Sequence, residues 1–411
     1  MARPHILIAG ASIAGPGLAF WLHRYGWDTT IVERAPTFRD GGQNVDVRGA
    51  GREVLRRAGL EQTVRDATTG EEGTRFVDDA GRTVAEFPVT DSETDGATAE
   101  VEVLRGDLAR ILVDATASTT EYLWGDRITD LVDDGGGVDV AFEHGESRRF
   151  DLVVAADGIG STTRALAFGD EVRIRSLGLD MTYLTVPRTD DDVPWWRWYS
   201  GLGGRGVTLR PDRHGTTRAV LTEVTGDRRT APATAGRGAD RRSLHEQKRH
   251  LRRAFADTGW EAQRVLGGLE SAEDAYFESI GQVHAPRWAK GRVALTGDAA
   301  WCASPVSGMG TTLGLVGPYV LAGELAAHVD HRDGLRAYER VLRPFVQKAQ
   351  DLPPGTPRLA NPVTRPGVAA FRLALRVAAS RPAGALASRL FSPPADEFEL
   401  PDYSHLERAE R

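Results

Sequence analysis

Four separated stretches of the chain carry residues able to hold a phosphorylated cofactor. The first is Gly10-Ala11-Ser12-Ile13-Ala14-Gly15. Gly10 can turn the backbone tightly, a small residue at position 12 leaves room for a diphosphate, and Gly15 allows a helix to pack closely on a sheet. Ser12 stands where a second glycine is usual, but serine is small and its hydroxyl can bond phosphate. Glu33 and Arg34 follow at the distance where a carboxylate takes ribose hydroxyls. In the second stretch, Glu102-Val103-Leu104-Arg105-Gly106-Asp107-Leu108, Arg105 sits just before a helix that Asp107 could cap. Its guanidinium could pair with a diphosphate or lie along a flat ring; a surface salt bridge is the plainer alternative. Third, residues 151–156 form a buried strand running into Asp157-Gly158, with Arg164 beyond, which a simple turn would also explain. Fourth, a strand at 293–295 ends in Thr296-Gly297-Asp298-Ala299-Ala300. A carboxylate at that sheet edge can accept bonds from a polyol, although Asp298 could also be a mere turn residue.

A loop holding Pro305, Gly308 and Gly310 leads from Asp298 to a helix beginning near Thr311 and Thr312. The free N–H groups of such a helix start carry about half a positive charge and favour an anion, such as a reduced flavin.

The elements that must position these residues are legible from spacing. Residues 6–9 read as a buried strand, and Leu18, Trp21, Leu22 and Tyr25 recur at helical spacing, with Pro16 in the first turn and Gly26 at the end. A second strand, 29–32, runs into Glu33. This strand, glycine turn, helix, strand and acid make a dinucleotide-binding βαβ unit, which serves NAD(P) and FAD alike; the three later stretches decide for FAD. Residues 74–87, 180–186, 195–200, 206–209 and 216–224 alternate like strands and predict an antiparallel sheet inserted into the nucleotide-binding domain, roofing a pocket. Alternation puts Trp196 and Trp198 on one face and Trp195 and Tyr199 on the other, so the first pair could line an aromatic pocket, with Pro305 nearby, or simply fill a core.

Composition excludes several classes. With 51 basic and 58 acidic residues in 411, net −7, no overall positive field draws nucleic acid or anionic lipid. The single cysteine, Cys302, cannot form an intrachain disulfide, fits a reducing cytoplasm, and reads as packing. No apolar run reaches the roughly 18 residues of a membrane span, and the apolar start after Arg3 is better explained by the glycine turn than by a signal peptide. His245 and His250 are five apart, about 140° round a helix, so no metal site is expected. Residues 225–242 read as a loop, 352–366 with five prolines as a linker, and 368–391 as a helical stretch. Pro318 is expected to interrupt the helix after Thr312.

On these motifs the chain, over residues 4–345, resembles the class A flavoprotein monooxygenases of the para-hydroxybenzoate hydroxylase type. Gly41-Gly42-Gln43-Asn44-Val45-Asp46-Val47, then Gly51, Glu53 and Ala58-Gly59-Leu60, are similar in particular to the tetracycline-inactivating and polyketide-tailoring members. The resemblance implies an α/β, Rossmann-like FAD domain (1–71, 101–170 and 281–350), an inserted substrate domain (72–100 and 171–280) and a C-terminal linker with helices (351–411). It implies FAD bound by Glu33, Arg105 and Asp298, with Asp46 beside the flavin, Arg39 meeting NAD(P)H and the Asp157 turn serving both. The implied reaction passes oxygen from a flavin C4a-hydroperoxide to an aromatic or polyketide-like molecule in a cytoplasmic monomer or dimer, with no obligatory acid or base to name. Three residues depart from the family pattern: Trp301 replaces a histidine after Gly-Asp-Ala-Ala, and Met309 and Thr312 replace Gln and Asn. Trp301 could signal Baeyer-Villiger insertion or epoxidation, and a dehydrogenase without oxygen insertion is the rival reading.

Overall fold

A computed structural model describes residues 3–39, 41–89, 101–226, 229–235, 243–272, 274–353, 355–380 and 398–407. At its centre lies a six-stranded sheet in the order Ala289–Lys290, Val293–Leu295, Leu152–Ala155, His5–Ala9, Asp28–Glu33, Thr120–Trp124. All pairings are parallel except that of the two-residue edge strand. The middle strands are apolar throughout because both faces are covered: Ile6, Leu7, Ile8, Val153 and Val154 have no exposed surface. His5–Ala9 lies between the next strand in the chain and a much later one, which opens a crevice at its carboxyl end, where Gly10 stands.

Helix Ala14–Arg24 packs against the long helix Gly310–Ala327, which also meets Gly49–Ala58 and His331–Gln350. The long helix does not break at Pro318. Gly314 supplies the carbonyl that loses its bond, and the facing residue is Gly17, where even a Cβ would lie 3.9 Å from Pro318 Cβ, so no side chain obstructs the ring.

The inserted sheet has eight strands, and all but one pairing is antiparallel, as expected. Trp196–Ser200 runs parallel to Gly73–Val77. Those two strands are separated by more than a hundred residues, including a stretch of the nucleotide-binding domain, so no tight turn dictates their direction. Strand Tyr276–His284 belongs to this sheet, pairing with Arg173–Pro187, and so runs through position 281, the expected domain boundary. One face is packed with Tyr199, Val207, Leu209, Ala219, Leu221, Leu184 and Val186 against helices Leu244–Ala254 and Ala262–Ser271. Alternation turns Trp196, Trp198, Phe76, Thr208 and Arg210 to the opposite face.

The proline-rich stretch is docked rather than free: Gly203 and Gly204 donate to Val363 O and Pro362 O at 2.9 and 3.2 Å. Helix Arg365–Ala378 follows and sets Phe371 against Phe76, 6.1 Å between ring centres. The rest of the expected helical stretch, 381–391, lies outside the described residues. Within 225–242, Thr230–Pro232 forms a short strand beside Arg173–Arg175, while 227–228 and 236–242 lie outside the described residues.

Candidate active site

The four motif stretches meet at the first glycine turn. Gly10 has φ +106°, and a Cβ there would stand 2.7 Å from Ala156 O, so the end of the third stretch lies directly against the turn. A Cβ on Gly15 would sit 1.9 Å from Gly10 O, which is how closely the helix abuts the loop. Arg105 Nη2 donates to Ser12 Oγ at 3.1 Å, bringing in the second stretch, and its backbone N–H bonds Gln43 O at 3.0 Å. The fourth stretch arrives through Gly297, φ +58°, where a Cβ would stand only 2.9 Å from the methyl of Ala14. Ile13 touches the position of Gly314 at 3.6 Å. Glu33 takes backbone N–H bonds from Ala11 and Ala35 at 3.1 and 2.9 Å, which fixes its carboxylate beside the turn.

Asp298 is exposed at the first position of the short helix Asp298–Trp301, and Gly308 and Gly310 are exposed at the start of the long helix, with Thr311 half-buried behind them. Pro305 opens a turn, Pro305–Ser307, just after Ser304, which is held at φ +77°. Arg34 and Arg39 are exposed on the loop beyond Glu33.

Several expected roles change in the structure. Arg105 is the first residue of helix Arg105–Asp114 rather than its predecessor, and Leu104, not Asp107, is the cap residue. The Asp157 carboxylate is used internally, accepting from Ser161 Oγ and from Thr163 N and Oγ1, so it staples the turn into helix Thr162–Phe168. Burial raises that carboxyl above its ordinary range despite these bonds. Trp301 is 1% exposed and wedged between Trp288 and Tyr338, 4.4 and 5.9 Å between ring centres. Its bulk fills core volume beneath Gly317, so it tells nothing of Baeyer-Villiger or epoxidising chemistry. Thr312 is likewise buried; its hydroxyl accepts from Arg48 N at 3.4 Å and donates to Arg48 O at 3.2 Å, fastening the long helix to the strand that bears Asp46. Cys302 is buried in the core, where loss of solvation pushes its thiol well up. His250 pairs with Glu223 at 2.7 Å, and Glu246 closes a capping box with Ser243.

Towards the strands that bear Asp46 and Glu102, the inserted sheet presents a guanidinium that sequence spacing did not single out. Arg210 stacks on Trp196, 4.3 Å from its ring centre, and reaches Glu71, Glu102 and Asp46. Its signal was a charged residue one place past an expected half-buried strand. Trp198 lies 4.9 Å from Trp196, on the same face as expected, but is covered by Phe76 and, beyond it, Phe371. Trp195 and Tyr199 fall on the other side, with Arg75 and with Trp260.

The residues present fit FAD. Spaces that a Cβ would fill at Gly10, Gly15 and Gly297 mark where backbone must come close, and an arginine and a serine hydroxyl stand together over the turn. Arg105→Ala should weaken FAD binding roughly ten- to a hundredfold, the worth of a charge-assisted contact of about 1.5–3 kcal/mol. Asp298→Ala should lower FAD retention in the same assay, equilibrium dialysis against free cofactor; undiminished retention in both would disprove the placement.

Comparisons with known proteins give the family of the chain. Residues 3–352 match the FAD binding domain family. A flavin-dependent monooxygenase, eupH, of a Phoma species is 37% identical, the match covering 97% of each chain. An uncharacterized protein of Mycobacterium tuberculosis is 38% identical over 86% of this chain and 94% of its own. The crystal structure of tetracycline destructase Tet(55) superposes with a TM-score of 0.78 at 30% identity, covering 98% of this chain and 99% of that one. The chain therefore belongs to the FAD binding domain family and is an FAD-dependent monooxygenase.

Proposed function

We propose that this enzyme consumes NAD(P)H and inserts one atom of O2 into an aromatic or polyketide-like small molecule. The balance is substrate–H + O2 + NAD(P)H + H⁺ giving substrate–OH + H2O + NAD(P)⁺. One observation carries the reading of the substrate: the face of the inserted sheet turned away from its own helices bears Trp196 stacked on Arg210 beside Asp46. An aromatic wall with fixed polar groups suits a flat ring that also needs orienting. The names of similar proteins, a flavin-dependent monooxygenase and tetracycline destructases, support the same class.

When bound, FAD supplies the redox chemistry, accepting hydride and activating oxygen. Around it, Gly10, Ser12, Ile13, Ala14, Gly15 and Arg105 would hold the diphosphate, Glu33 and Arg34 the ribose end and Asp298 the polyol. The start of the long helix, with Gly308, Gly310 and Thr311, would face the ring system and favour its anionic form, while Thr312 would hold that start in place through Arg48. Exposed Arg39 would meet the phosphates of NAD(P)H, and Asp157 would act indirectly, by shaping the turn beside Gly10. Trp196 and Trp198 would exclude water from the reacting atoms, with Pro305 at the rim.

The test is turnover of purified enzyme with NADPH or NADH under labelled O2 against a panel of phenolic and polyketide aromatics. One labelled oxygen in the product, with one NAD(P)H consumed per turnover, is the expected result. Substrate-dependent NAD(P)H consumption giving a product free of label would overturn it in favour of a dehydrogenase.

A further inference from the structure

Three carboxyl groups and two guanidiniums meet beneath Trp196, nearly out of water. The side chains of Glu71 and Glu102 are 4% and 5% exposed, those of Arg210 and Arg48 12% each, and that of Asp46 16%. Arg210 Nη2 lies 2.9 Å from Glu102 Oε1 and 3.4 Å from Glu71 Oε1, so two carboxyl oxygens converge on one nitrogen. The same nitrogen is 3.7 Å from Asp46 Oδ1, while Arg210 Nε bonds Glu71 Oε2 at 2.9 Å. Arg48 Nη2 holds the other Asp46 oxygen at 2.9 Å, and the Asn44 amide donates to Glu102 Oε1. With every group ionised the cluster would carry one uncompensated negative charge in a site that solvates it poorly.

We propose that Glu71 keeps its proton, which leaves the cluster neutral and lets Arg210 clamp the substrate sheet to the two strands, Asn44–Val47 and Val101–Leu104, of the cofactor domain. The link to the substrate wall rests on the function proposed above; the proton itself does not. Four charged or titratable groups surround Glu71, which lies just ahead of Gly73–Val77: Glu102, Asp46, Arg48 and Arg210. Burial raises the Glu71 carboxyl far above its ordinary range, and Glu102 raises it further, against the opposing pull of Arg210. A carboxyl raised in this way binds its proton more tightly in the folded chain than in the unfolded one. Its contribution to stability is therefore complete below the ordinary glutamate value and is lost as pH rises towards the raised one.

The experiment uses holoenzyme and needs no substrate. Infrared spectra taken from about pH 6 to about pH 9 should show a protonated-carboxyl C=O band that fades as pH rises and is absent from Glu71→Gln. Over the same range the melting temperature of Glu71→Gln should fall by at least a few degrees less than that of the unmodified enzyme. Should Glu71→Gln fail to fold, Glu102→Gln carries the same test, because Glu71 would then face Arg210 without a competing carboxylate and lose the band. A spectrum of the unmodified enzyme without a band that titrates in this range overturns the proposal, as does a band that survives Glu71→Gln. Neither outcome depends on whether labelled oxygen reaches a product.

Discussion

Gly15→Ala should yield a protein that is purified almost without its yellow cofactor. The new methyl would lie 1.9 Å from Gly10 O, a backbone atom that cannot swing aside as a flexible side chain would. To reach an ordinary contact near 3.5 Å, helix Ala14–Arg24 must retreat by about 1.5 Å. That movement would open the turn. The expected cost is about 1–3 kcal/mol of stability from overpacking. FAD affinity should fall at least about a hundredfold, because the turn no longer presents its N–H groups together. Gly267→Ala provides the control. It lies in helix Ala262–Ser271 with nothing within 4 Å of a built Cβ, so it should be neutral or stabilise by up to about 1 kcal/mol. Flavin absorbance per protein, measured after dialysis, separates the two. Full occupancy in Gly15→Ala would remove the close helix–loop contact from the account of binding.

Arg164→Met should lower both thermal stability and FAD retention, although Arg164 stands outside the cofactor cradle. Its guanidinium is buried, with 1% of the residue exposed, and donates to Ala299 O at 2.8 Å and Ile159 O at 2.7 Å. It thereby ties the turn after Asp157 to the residue following Asp298. Methionine is of comparable size but has no donors, so two buried carbonyls lose their partners at a cost of about 2–4 kcal/mol. Arg164→Lys should recover only part of this, since one ammonium cannot reproduce the planar fork that spans two carbonyls. Calorimetry gives the stability and dialysis the FAD constant. A variant with an unchanged melting temperature would mean that the bonds to Ala299 and Ile159 are dispensable.

The βαβ start was readable because its information is local. Gly10, Gly15, the helical spacing of Leu18, Trp21, Leu22 and Tyr25, and Glu33 all lie within a window where chain geometry alone sets distance. The strand rhythm of the inserted sheet was equally local, and alternation assigned Trp196 and Trp198 to one face correctly. Misreadings arose where neighbours distant in sequence decide. Asp107 looked like a cap, but the helix starts three residues earlier, at Arg105, whose N–H bonds Gln43 O. Trp301 looked like a change at the site, yet Trp288 and Tyr338 close over it.

By itself, then, the order of residues determined the glycine turn, the strand and helix that flank it, and the later stretches around Arg105 and Gly297 that pack against it. Only the tertiary structure decided that Arg210 meets Glu71, Glu102 and Asp46, that Thr312 fastens to Arg48, and that Arg164 bridges two motif loops. The physical reason is one of range. Backbone propensities act over a few residues, whereas ion pairs and burial form between groups that become neighbours only once the two sheets have packed.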